Sequence, residues 1–257
     1  MGPCRITAKA PRGICGCDVH GIVGRNFLRF TAGGAATHSD HGREICITLG
    51  HAKEGGDYQV KDPEKLIRIA KEWGVETEGK DIYDLAHEMS DLAQEEYGKI
   101  RGYSRWLKRA PQHTQDLWHA AGIELRAIDR EVSCALHMTH MGNTSKPEAL
   151  IRQALRNGLS DGWGGSMCGT EFSDVLFGTP KPIDTEANLG VMNAENVNIV
   201  VHGHDPSLSE MICEYADSKE MIDYAKSMGA KGITVSGVCC TSMRLQCVAV
   251  FRWQVTS

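Results

Sequence analysis

Two pairs of side chains near the end of this sequence combine imidazole with thiol. His202 and His204 close the run NVNIVVHGH, and Cys239 and Cys240 close GITVSGVCC. Imidazole and thiolate together suit zinc, iron, nickel or an iron–sulfur cluster. Cysteine also often only packs, and two donors fall short of the four of a closed tetrahedral site. Spacing alone therefore leaves metal binding and packing both open. A second set opens the chain, where Cys4, Cys15 and Cys17 lie in a glycine-rich, basic stretch; a flexible cysteine loop is the form a cluster-binding segment takes. A third set is His38 and His41, three apart and so on one helical face, with Asp40 able to orient one of them. Two imidazoles in line could relay protons near neutral pH; a plain polar helix face is the other reading.

The elements that must position these groups follow from pattern. Both runs before the His and Cys pairs read as buried strands. Between them lies a helical segment with Leu208, Met211, Ile212, Met221, Ile222 and Ala225 as apolar positions. Pro206 and Ser207 suit its start and Gly229 its end. This is a β-α-β unit whose parallel strands carry imidazole and thiol at their carboxyl ends, where ligand sites form in open α/β sheets. Residues 21–52 read as a helix with Ile22, Leu28, Ala32 and Ala35 on its core face, and residues 53–158 as further amphipathic helices. Cys46, Cys134 and Cys213 fall on apolar faces and read as core, His137 and His140 as structural. Residues 161–190 are rich in Gly and Pro without period and read as a long functional loop, in which Asp161 and Asp174 are available carboxylates. The expected fold is a mainly α N-terminal helical domain followed by the start of an α/β Rossmann-like domain, one β-α-β unit. The expected organisation is a cysteine-containing loop over 1–20, a helical domain over 21–185, the partial α/β domain over 186–241 and a tail over 242–257.

Composition bounds the function classes. The chain has 257 residues with a net charge of −5, which does not indicate a nucleic-acid-binding face. No apolar run reaches membrane-spanning length, and MGPCRITAKAPRG lacks the apolar core of a secretion signal. A cytoplasmic protein is expected. Ten cysteines in that setting point to metal, redox work or packing rather than to a disulfide scaffold.

Taken together, MGPCRI, RGICG at 12–16, IVGRNFLR…AGGAATHSDHGR at 22–43, GLSDGWGGSM at 158–167, DVLFGTPKP…TEANLGV at 174–191, NIVVHGHDPSLSEM at 198–211 and GITVSGVCCT at 232–241 resemble the anaerobic nickel–iron–sulfur carbon monoxide dehydrogenases. The resemblance implies oxidation of CO with water to CO2, with two electrons passed through [4Fe–4S] relay clusters to an acceptor such as a ferredoxin. It implies a homodimer and a Ni-4Fe-4S centre. His204 matches the iron-binding histidine of that centre and Cys240 its first thiolate. His38 matches the acid–base histidine near the substrate, and Asp161 its acidic partner. Cys4 and Cys15 match the last two thiolates of a [4Fe–4S] relay cluster. A non-catalytic metal-binding module and a prismane-type hydroxylamine reductase relative are the alternatives.

The chain also departs from the family. The remaining relay cysteines lie upstream of MGPC in family members, and further cysteines of the nickel centre and a lysine lie beyond the length of this chain; Cys17 could replace one relay ligand. Glu44 stands where another histidine often follows. After CCT the tail SMRLQCVAVFRWQVTS replaces a family continuation, and suitable codons for its stretch MRLQCVAVFRWQVT can be read in a neighbouring frame as NEVAVRRGVPVAGN. A frameshift near Thr241 is expected, making this chain a truncated piece that is inactive by itself.

Overall fold

The computed structural model describes residues 5–181, 189–204, 206–241 and 254–255. The chain divides into two compact units, Met1–Leu176 and Phe177–Ser257. The first is helical, with α1 (Val19–Gly50), α2 (Pro63–Glu72), α3 (Ile82–Gly98), α4 (Gln112–Ala121), α5 (Ile128–Met138) and α6 (Pro147–Leu159), then a π-helix (Ser160–Ser166) that runs into α7 (Met167–Phe177).

The first unit is organised on α1. The Asp18 carboxylate caps it by accepting from the Gly21 N–H at 2.9 Å. Its buried positions Gly21, Arg25, Leu28, Ala32, Ala35, Ser39, Gly42, Cys46 and Leu49 alternate four and three residues apart, the spacing of one continuous stripe. Most of them are small, so partners come close. A Cβ on Gly24 would lie 3.3 Å from the Leu150 Cβ of α6, and one on Gly42 only 1.9 Å from the Tyr97 hydroxyl of α3. Leu28 and Ala32 join Ala135, Leu150 and Ala154 in a core between α1, α5 and α6.

The glycine-rich run expected as a loop is helical as far as Phe177. Glycine disfavours a helix by about 1 kcal/mol relative to alanine, and packing overrides that here. A Cβ on Gly165 would meet Ile128 Cδ1 at 2.5 Å, and one on Gly169 would meet Gly42 Cα at 3.2 Å. Within α7, Phe172 packs edge-on against Trp73 and Trp106. The glycines are the close-approach points of a helix, and their composition imitates a loop.

The second unit is a β-α-α-β arrangement. β1 (Val197–His202) and β2 (Ile233–Val238) pair in parallel, in register from Val197↔Ile233 to His202↔Val238, and α8 (Pro206–Asp217) and α9 (Lys219–Ser227) connect them. The single helical segment expected here is two helices, because the Ser218 hydroxyl accepts from the Met221 N–H and starts a new one. Val201, Val235, Cys213 and Ala216 form its core, with Ile199, Ile212 and Ile233 against them. The two residues of β3 (Gln254–Val255) pair in parallel with β2. The rest of the expected frameshifted tail lies outside the described residues. Among those residues no helix is long and apolar enough to cross a membrane.

Candidate active site

Two of the residues singled out by sequence meet in the first unit. His38 lies on α1 beside the buried Ser39, and Asp161 is the second residue of the π-helix. His38 Nδ1 and Asp161 Oδ1 are 2.6 Å apart although 123 positions separate them in sequence. An ionised carboxylate only accepts, so Nδ1 carries a proton and Nε2 is left as the basic nitrogen. The hydrogen bond to Asp161 raises the His38 pKa above its ordinary value, against the opposing effect of partial burial. With side-chain exposures of 33% and 21%, both groups remain within reach of a small molecule.

The other carboxylates singled out by sequence do different work. Asp40 is exposed and, two residues from His38, occupies another face of α1. Asp174 is buried and accepts from Lys65 Nζ at 2.5 Å, an ion pair that also brings in Glu171; it ties α7 to α2.

Sequence reading missed the residues that hold the pair. Ser166 Oγ donates to the same Asp161 Oδ1 at 3.0 Å. Tyr97 Oη donates to the Gly165 carbonyl at 3.1 Å and so anchors the π-helix from α3. Trp163 packs edge-on against Trp118 at 5.6 Å. Asp161 and Ser166 are five apart, a spacing that matches no α-helical template, and nothing in the sequence marks Tyr97.

In the second unit the carboxyl ends of β1 and β2 carry the candidate ligands. His204 stands two residues beyond His202 and Cys240 two beyond Val238, and His202 and Val238 are themselves paired. The ends are stitched together by Thr241. Its N–H donates to the Gly203 carbonyl at 3.1 Å, and its hydroxyl lies 2.7 Å from the Val201 carbonyl and 2.6 Å from that of Val238. Cys239 takes φ +66°, a left-handed conformation unusual for a residue with a side chain; it turns the chain sharply from β2 toward Cys240. Imidazole and thiolate are the right donor types for a nickel–iron–sulfur centre. Among the described residues no group of three or more His, Cys, Asp or Glu side chains is placed to hold a metal ion.

Cys4 lies outside the described residues. Cys15 sits in the loop before α1, where the buried Arg25 guanidinium donates to its sulfur at 3.4 Å while its other N–H groups bind the Thr144 carbonyl. The guanidinium fixes the position of the Cys15 sulfur beside the start of α1. Cys17 is fully buried beneath Gly21, whose added Cβ would come within 2.3 Å of its sulfur. Burial pushes its thiol pKa up, so its surroundings are those of a packed thiol. Cys46 and Cys213 are buried as expected, and Cys134 is partly so.

Comparison with known proteins gives a consistent result. A family model described as the Prismane/CO dehydrogenase family matches residues 1–251. Carbon monoxide dehydrogenase 1 of Methanosarcina mazei is 46% identical over 246 residues, covering 94% of this chain and 39% of that protein. A nickel-free crystal structure of carbon monoxide dehydrogenase from Thermococcus sp. AM4 matches with a TM-score of 0.81 at 45% identity, covering 99% of this chain and 42% of the other. A structure of acetyl-CoA synthase/carbon monoxide dehydrogenase, described with NiZn[Fe4S4] and NiNi[Fe4S4] clusters in its α subunits, matches with a TM-score of 0.77 at 37% identity, covering 99% of this chain and 39% of the other. The chain thus spans about two fifths of the length of these relatives.

Proposed function

Because the chain belongs to the prismane/CO dehydrogenase family, we propose that it supplies the proton-handling pair and part of the ligand set for the oxidation of CO with water to CO2, two protons and two electrons. The contact between His38 and Asp161 carries this reading. Asp161 fixes the imidazole with its proton on Nδ1 and stabilises the imidazolium that forms when Nε2 accepts a proton. Nε2 can then pass that proton on, so two protons leave in turn through one nitrogen.

In this reading His204 and Cys240 hold part of a Ni-4Fe-4S cluster, and Cys4 and Cys15 part of a [4Fe–4S] relay cluster. The nickel centre, when bound, supplies CO activation and redox capacity. The Arg25 contact with Cys15 and the Thr241 stitch between the two strand ends support these assignments. The β1–α8–α9–β2 unit reads as the start of a Rossmann-like domain, on its parallel pairing and its donors at the carboxyl edge. A ferredoxin-type acceptor, a homodimer and a cytoplasmic setting complete the proposal. Hydroxylamine reduction and a non-catalytic module are not favoured, since the relatives above are carbon monoxide dehydrogenases.

The test is CO-dependent viologen reduction by protein made anaerobically with nickel and iron. It compares this chain with a version completed to full length by the remainder of the M. mazei relative. With two nickel-site donors among its described residues, the chain alone is expected to turn over little CO. In the completed protein, His38→Ala or Asp161→Asn should lower kcat by roughly 10²–10⁴-fold at unchanged nickel content. Unchanged kcat in both variants would remove the acid–base assignment.

A further inference from the structure

The π-helix does more than carry Asp161. In an α-helix the neighbours on one face are three or four residues apart, and residues five apart diverge. A π-turn bonds each residue to the one five ahead, as the Met167 N–H does here with the Gly162 carbonyl. That spacing brings Ser166 over Asp161, five residues earlier, and its Oγ donates to Oδ1 at 3.0 Å. The same oxygen meets His38 Nδ1 at 2.6 Å. Asp161 Oδ2 points instead toward Gly34, where an added Cβ would lie 3.9 Å away. Both donors therefore fall on one oxygen of the carboxylate. The Ser166 hydroxyl is thus not spent on a backbone carbonyl of its own helix, the common fate of a helical serine.

We propose that Ser166 is a positioning residue for the proton-handling pair: its hydroxyl locks Asp161 Oδ1 onto His38 and takes a share of that oxygen's negative charge. The inference rests on the reading of His38 and Asp161 given above. A carboxylate oxygen that already accepts one hydrogen bond is a weaker base toward a second donor. Ser166 thereby keeps the imidazolium from being overstabilised, so that His38 can release its proton as well as accept it. Besides Asp40 and Glu44 of α1 itself, carboxylates reach this stretch from two packed elements. Asp161 comes from the π-helix, and Asp129 of α5 is engaged by Ser39 Oγ at 2.5 Å and Arg43 at 3.0 Å. Asp161 is the charged group that raises the His38 pKa.

The experiment is an NMR titration of His38 in the full chain labelled at histidine, with the resonance assigned by His38→Gln. Ser166→Ala should raise the His38 pKa by about half a unit or more, since the carboxylate loses a donor. Ser166→Thr keeps the hydroxyl and should titrate like the parent. Asp161→Asn should lower the value below that of the parent. In the completed enzyme, Ser166→Ala should move the acid limb of the kcat profile upward by a similar amount and leave KM for CO unchanged. A Ser166→Ala titration that is unmoved or lowered overturns the proposal, as does a Thr variant shifted as far as the Ala variant. If Asp161→Asn lowers the pKa while Ser166→Ala does nothing, Ser166 alone is wrongly assigned. If Asp161→Asn leaves the titration unmoved, the pair and the function built on it both fall.

Discussion

His38 gains its charged form from a carboxylate more than a hundred positions away in sequence, which ties its protonation to folding. Its folded pKa lies above the ordinary histidine value of 6.5. A raised pKa means that the folded state binds the proton more tightly than the unfolded state does. The resulting stabilisation is complete below the unfolded pKa and is lost as pH rises through the folded one. Asp161→Asn should therefore lower the urea midpoint more at pH about 6 than at pH about 9. The effect is modest because a third of the imidazole is exposed. Equal losses at the two pH values would show that Asp161 does not act on the imidazolium. Local spacing offered Asp40 as the orienting acid, and that choice was not available to it: a residue two positions along a helix looks elsewhere. The partner was legible only through the specificity of the HSDHGR and DGWGGSM strings. The long-range contact itself leaves no trace in periodicity.

The long helix and the π-helix are fastened through Tyr97. Its ring passes over Gly42, and its hydroxyl holds the Gly165 carbonyl. Gly42→Ala would force the buried ring to move, and overpacking of this kind costs about 1–3 kcal/mol. Tyr97→Phe leaves the carbonyl without that donor, at about 1–2 kcal/mol. The two changes act on one contact, so the double variant should be less destabilised than the sum, as denaturant unfolding of the four proteins would measure. Additivity within about 0.3–0.5 kcal/mol would show that the glycine and the hydroxyl are independent. The α1 register was readable because apolar and small residues recur at helical spacing. The glycine-rich stretch after it was not. Composition cannot tell a glycine kept for backbone freedom from one kept because an added Cβ would crowd another helix, as at Gly169, where it would lie 3.2 Å from Gly42 Cα.

At the scale of the whole molecule, the two units differ in how much they bury. The first packs α1 against α3, α5, α6 and the π-helix, whereas the second has a small core, and Val197 and Val200 of β1 are 43% and 47% exposed. Hydrogen exchange should therefore be faster across β1, α8, α9 and β2 than across α1 and α6, and protease should cut first beyond Phe177. Equal protection of both units would contradict this ranking. The strand–helix–strand order, with His and Cys at the strand ends, was legible from two apolar runs ending in those residues, because a strand's carboxyl end is fixed by the pattern that precedes it. The Thr241 stitch, made of one hydroxyl and one N–H, was not. The closure of the His38–Asp161 pair within Met1–Leu176 also bears on the order of events during synthesis. Domains fold as units from the N-terminus while the chain is still being made. The pair can then be set before the strands that carry His204 and Cys240 have left the ribosome, so that on the proposed function a cluster loaded afterwards would meet an imidazole already oriented by its carboxylate.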